Sequence, residues 1–165
     1  MKFTGAVLVW ICLVMSGVSI SFNLKKRQQF LEDITYMLTS FSGSINYYHR
    51  PLSEIIADFN KNEKSIDFIK RCEEMLLSGI DFPQAWAESI DNYCPLLKRN
   101  EKDKLTQYGR SIGKTDSKTQ KSVLDEYCRY FDEFRNKATY DYNKYNRTVI
   151  AAFFFLGCGL FILFI

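Results

Sequence analysis

Two uncharged apolar runs, one towards each end, constrain the folding of this chain more than any other feature. Phe3 to Phe22 reads FTGAVLVWICLVMSGVSISF, twenty residues without a charge. A helix of that length covers ~30 Å, the thickness of a hydrocarbon core. Val149 to Ile165 reads VIAAFFFLGCGLFILFI, seventeen uncharged residues, at the short end of the range for a span. Lys25-Lys26-Arg27 directly follows the first run, and Arg135, Lys137, Lys144 and Arg147 precede the second. Lys2 is the only cationic side chain on the opposite flank. Positive charge is held on the cytoplasmic side. The expectation is therefore a transmembrane helix over 3–22, a cytoplasmic domain over 23–148 and a second transmembrane helix over 149–165.

A cleaved signal peptide competes for the first run, with Ser19-Ile20-Ser21 as a small-residue cleavage site. The run is longer than a usual signal core and the basic cluster follows it at once, which favours a retained anchor. Tyr140, Tyr142 and Tyr145 fall where an interfacial aromatic belt is expected. Asn146-Arg147-Thr148 matches a glycosylation pattern, but a cytoplasmic placement makes it meaningless.

The net charge of +3 comes from Lys and Arg interspersed with Asp and Glu. That is not the one-sided field of a nucleic-acid binder. Gly and Pro are sparse, which favours long helices over a turn-rich β fold. The five cysteines, Cys12, Cys72, Cys94, Cys128 and Cys158, are widely spaced. They form no CxxC or Cys/His ligand set, and the single histidine, His49, has no metal-site companion. Free, buried thiols in a reducing compartment are expected, with no metal and no cofactor.

Between the runs the apolar spacing is helical. After Leu24, the residues Leu31, Ile34, Leu38, Phe41, Ile45 and Tyr48 form a heptad seam, interrupted by Arg27 and weakened by Gly43, on a helix continuing from the first run. Pro51 suits the first position of a second helix, with Leu52, Ile55, Ile56 and Phe59 inward. A third helix is predicted near Ser65 to Ser78, burying Ile66, Ile69, Cys72, Leu76 and Leu77, and Gly79 caps its end. Asp81 and Gln84 match a capping box for a fourth, whose face is Phe82, Ala85, Trp86 and Ile90. Pro83 sits in its tolerant first turn, and Cys94-Pro95 ends it. A fifth, near Asn100 to Ile112, carries Leu105, Tyr108 and Ile112. A sixth starts near Ser117, carries Leu124, Tyr127, Phe131, Phe134, Ala138 and Tyr145, and runs on into the second apolar run. The fold expected is an all-α six-helix antiparallel bundle between two membrane helices.

The stretch YGRSIGKTDSKTQ, Tyr108 to Gln120, superficially suggests a phosphate-binding loop. Gly109 and Gly113 are one residue too close for a Walker A motif, and no strand precedes them. The local reading is a helix corner. Gly113 ends helix five in the left-handed conformation. Asp116 or Ser117 caps helix six, and Ser117 with Gln120 forms a capping box. Gly109 lets another helix approach closely, which would account for a glycine in a helix interior.

That corner, GRSIGKTDSKTQ, resembles the G-x-x-L-G-x-x-D-x-x-x-Q pattern of the stage III sporulation protein AB family. SINYYHRPLSEII and DFPQAWAESI are similar to two further segments of that family, and the resemblance covers essentially the whole chain. Ser44, Ile56 and Ile112 depart from the family's usual Glu, Ala and Leu, so position 44 offers no carboxylate near Tyr47. The resemblance implies a subunit of the channel complex between mother cell and forespore in endospore formers. It implies a domain like that of the type II secretion inner-membrane platform protein, other membrane subunits as neighbours, and a cytoplasmic secretion-type ATPase, the stage III sporulation protein AA family, as partner. Membrane lipid is a further partner and nucleic acid is not. A membrane-anchored adaptor of another secretion or pilus-type assembly is the alternative.

No residue set looks catalytic. His49 has no nucleophile beside it and suits a cap or surface position. The acidic pairs Glu73-Glu74, Asp125-Glu126 and Asp132-Glu133 read first as solvated helix faces and second as a charged docking patch. Trp86 reads as core. The two heptad seams are expected to pair with each other, and Gly157 and Gly159 to allow close packing in the membrane.

Overall fold

The structure is a computed structural model describing residues 2–48, 51–61, 66–112 and 117–164. Those residues form six helices and no strand: α1 (Lys2–Tyr48), α2 (Leu52–Asn60), α3 (Asp67–Leu77), α4 (Phe82–Tyr93), α5 (Arg99–Ser111) and α6 (Ser117–Phe164). Both long helices continue unbroken out of the apolar runs, as the sequence predicts. The chain divides into two compact units, Met1–Gln29 with Asn136–Ile165, and Phe30–Arg135.

In the first unit the apolar stretches of α1 and α6 run antiparallel. Trp10 packs edge-on against Phe154 at 5.7 Å, and Ser21 donates to the Asn146 side-chain carbonyl. Each helix offers a glycine to an aromatic ring of the other. A Cβ at Gly17 would stand 3.0 Å from Phe153 Cβ, and one at Gly157 would stand 2.5 Å from Trp10 Cδ1. Gly159, by contrast, faces open space. Among the described residues one helical segment, within Val7–Ile45, is long and apolar enough to cross a membrane, with a mean hydropathy of 2.1 and only 11 % burial. A core helix of a water-soluble protein would be mostly covered, so this segment supports membrane association. The second run is helical through Phe164 as the end of α6.

The second unit is built on the seam of α1. Leu31, Ile34, Leu38 and Phe41 are fully buried, and Met37 joins them. The seam of α6 meets it: Thr35 Oγ1 lies 3.4 Å from the Phe131 carbonyl, and Ser42 donates to Asp125 at 3.4 Å. The α1 numbers rise as the α6 numbers fall, so the two seams are antiparallel partners, as expected. The short helices α3, α4 and α5 pack in succession, with α2 on α3.

Several local expectations are corrected. Pro51 is the N-cap of α2 and not its first residue: its ψ of 141° is extended, and its carbonyl accepts from Glu54 N–H at 3.1 Å. Asp81 makes no side-chain capping bond. Pro83 occupies the second helical position, so one of the two amides an N-cap carboxylate can take is missing. In α3 the buried set is Phe68, Ile69, Cys72 and Met75, whereas Leu77 is 83 % exposed. Leu77 is the last residue of α3, outside the stripe that Phe68, Cys72 and Met75 define.

Gly79 closes α3 as predicted. Its φ is 87°. Its N–H donates to the Leu76 carbonyl and the Ile80 N–H to that of Met75, which is the Schellman arrangement.

Candidate functional site

Trp86 is the centre of the helical unit. It is fully buried, with the rings of Phe82, Phe68, Tyr108 and Phe41 at 5.3, 5.4, 6.2 and 6.4 Å. Its indole N–H donates to the Leu105 carbonyl at 2.8 Å. A buried indole needs such an acceptor, and α5 supplies it by coming close to α4. Gly109 makes that approach possible: a Cβ there would stand 2.2 Å from Trp86 Cδ1. The close helix approach predicted at Gly109 is thus to α4 through Trp86. Tyr108, beside it, donates to the Leu38 carbonyl at 3.4 Å, and burial holds its phenol well above the usual range. Trp86 and Gly109 therefore belong to the contact between α4 and α5, whereas Pro51 is exposed and Leu52 half-buried.

The rest of the predicted corner is only partly described. Gly113 and Asp116 lie outside the described residues, as does His49. Ser117 begins α6 and Gln120 is helical, but their side chains, and with them the expected capping box, lie outside what is described. The start of α5 carries a device that sequence reading missed. Glu101 is buried, and its carboxylate accepts the Lys98 backbone N–H at 2.8 Å. The signal was a carboxylate three residues after the N-cap Lys98, without the Ser, Thr, Asp or Asn that usually announces it.

The acidic pairs do not form one patch. Glu73 is half-buried and accepts from the Asn60 amide, so it ties α3 to α2. Glu74 is exposed and pairs with Arg71 at 2.8 Å. On α6, adjacent residues diverge. Asp125 and Asp132 line a polar groove of about 470 Å³ with Thr39, Ser42, Lys121 and Arg129, and Asp132 pairs with Arg135 at 3.1 Å. Glu126 and Glu133 are exposed, as is Asp125, while Asp132 is half-buried; Glu126 and Glu133 do not line that groove. Glu126 accepts from the Tyr130 hydroxyl at 2.9 Å, a bond that raises the Tyr130 pKa, and Lys104 sits 4.3 Å over the same ring.

All five cysteines are free, but they are not uniformly buried as expected. Cys72 and Cys94 are buried, Cys128 and Cys158 half-buried, and Cys12 is exposed on its apolar helix. Burial pushes Cys72 and Cys94 up to about 12 and Cys128 to about 11. Such thiols are poor nucleophiles near neutrality. No group of three or more His, Cys, Asp or Glu side chains able to hold a metal occurs among the described residues.

No curated protein and no solved structure matches the chain. The family model of stage III sporulation protein AB matches residues 2–165. It spans the apolar N-terminal helix, the helical unit around Trp86 and the whole of α6, so the chain belongs to the stage III sporulation protein AB family and its role lies in sporulation.

Proposed function

We propose that this chain is a non-enzymatic membrane platform subunit of the mother cell–forespore channel, held by two membrane helices and docking a cytoplasmic secretion-type ATPase. The whole-length family match carries the reading. The reciprocal packing of Gly17 on Phe153 and Gly157 on Trp10 supports a second span, because two apolar helices that interlock through glycines suit a bilayer. Lys25, Lys26 and Arg27 support placing residues 30–135 on the mother-cell side. The exposed carboxylates Glu126 and Glu133 suit a basic partner surface, since rim charges steer association and set its partner.

The test uses the full chain in mild detergent and a purified ATPase of the stage III sporulation protein AA family. Saturable binding is expected, with a several-fold loss on converting Glu126 and Glu133 to Lys. No binding at ~100 μM, where even a weak specific contact of about −5.5 kcal/mol is half-saturated, would sink the docking reading.

A further inference from the structure

The chain's net charge of +3 conceals two opposite halves. Besides Lys2, the unit formed by Met1–Gln29 and Asn136–Ile165 holds Lys25, Lys26, Arg27, Lys137, Lys144 and Arg147 against Asp141 alone. Seven cations less one acid leave that unit at +6, so residues 30–135 carry −3. The antiparallel contacts bring most of these cations to one level. Ser21 meets Asn146. At ~1.5 Å per residue, Lys25 and Arg27 stand about 6 and 9 Å from that contact on the side away from the apolar runs, Lys144 about 3 Å on the same side, and Arg147 about 1.5 Å on the other. These cations, with Lys26, occupy a band ~10 Å deep, which overlaps a headgroup layer of roughly 5–8 Å per face.

The band is shaped for a membrane surface. Lys26 Nζ lies 4.6 Å from the centroid of the Phe22 ring. Lys144 Nζ lies 5.5 and 5.3 Å from those of Tyr140 and Tyr145. All three rings are more than 40 % exposed. Tyr rings on a membrane-associated helix are enriched at the bilayer boundary, and ammonium groups seated on Tyr or Phe rings keep their charge at the level of those rings. Lys25, Lys26, Lys144 and Arg147 are exposed, and the one acid nearby, Asp141, is half-buried.

We propose that this collar binds the phosphate of anionic phospholipid headgroups, so that the protein selects phosphatidylglycerol-type lipid over zwitterionic lipid for its boundary. The inference needs the apolar segments to lie in a bilayer and is independent of ATPase docking. Each basic side chain near an anionic surface contributes about fivefold in association, and the collar holds five within that band.

The test is native mass spectrometry of the full chain in mild detergent with equimolar phosphatidylglycerol and phosphatidylcholine. Wild type is expected to retain phosphatidylglycerol at least tenfold in preference. The variant K25Q/K26Q/R27Q/K144Q is expected to fall to near parity, and K25R/K26R/K144R to keep the preference. Because the Gln variant could fail to insert, Lys26→Glu alone provides a milder reading, with an expected loss of fivefold or more. K61Q/K70Q/R71Q, on the other unit, is expected to change nothing. Parity in wild type, or an undiminished preference in the Gln or Glu variant, overturns the proposal. So does displacement of the bound lipid by millimolar glycerol phosphate, which would indicate a site for soluble phosphate.

Discussion

Replacing Gly109 with alanine sets two known effects against each other. In an ordinary helix interior the change stabilises by about 1 kcal/mol. Here the new methyl would lie 2.2 Å from Trp86 Cδ1 and 2.6 Å from its Nε1. Trp86 has no free direction of retreat, since rings of Phe41, Phe68, Phe82 and Tyr108 surround it. Overpacking a core costs about 1–3 kcal/mol, and pulling the indole off the Leu105 carbonyl leaves a buried donor unpaired at about 1–3 kcal/mol more. The net expectation is destabilisation by about 2–4 kcal/mol, which lowers the melting temperature of a unit this size by roughly 10–25 °C. Thermal unfolding of the full chain in mild detergent would be followed by Trp86 emission in a Trp10→Phe background. Gly79→Ala is the comparison. It has open space around it and a φ of +87°, so only the backbone resists, at about 1–2 kcal/mol. An unchanged or raised melting temperature for Gly109→Ala would refute the claim that α4 and α5 meet through this glycine.

Two further outcomes follow from burial and exposure. Cys72 and Cys94 titrate near 12 in the fold and near ~8.5 when unfolded. Between those values the folded chain holds protons that the unfolded chain has lost, so stability is intact below about pH 8 and falls as pH rises. The urea midpoint should decline above pH 9 and decline less in C72A/C94A; equal slopes would show that these thiols are not desolvated. For topology, Leu77 is 83 % exposed, so Leu77→Cys in a chain lacking the native cysteines is expected to react with an impermeant maleimide only after cells are permeabilised. Reaction from outside intact cells would reverse the orientation.

Periodicity made much of this fold legible. The seams of α1 and α6 repeat over many turns, and a one-sided stripe of that length has few alternatives to a long partner. Single-turn features were read less well. Pro51 fits the first helical position or the N-cap equally by its φ, and only the extended ψ of 141° decides. Leu77 counts as apolar in any pattern, yet whether it is covered depends on the phase set by Phe68, Cys72 and Met75. Gly109 announced a close approach, but no local signal named Trp86 as the neighbour. That pairing depends on how α4 and α5 pack, which spacing within either helix does not encode.

The acidic pairs show the same limit on the functional side and determine which carboxylates a docking test must change. Neighbouring residues on a helix point about 100° apart, whereas residues seven apart nearly coincide. Asp125-Glu126 and Asp132-Glu133 are therefore not two patches but two stripes. Asp125 and Asp132 border the groove with Thr39 and Ser42 of α1, and Ser42 bonds to Asp125; reversing their charge perturbs the packing of α1 on α6. Asp125 is itself exposed, but Glu126 and Glu133 lie off the groove, so changing them spares its contacts with α1. A partner that reads α6 by charge must respond to the Glu126 and Glu133 reversals at unchanged stability. If binding fell only when Asp125 or Asp132 was reversed, together with the melting temperature, the loss would report a disturbed helix pair and not a contact.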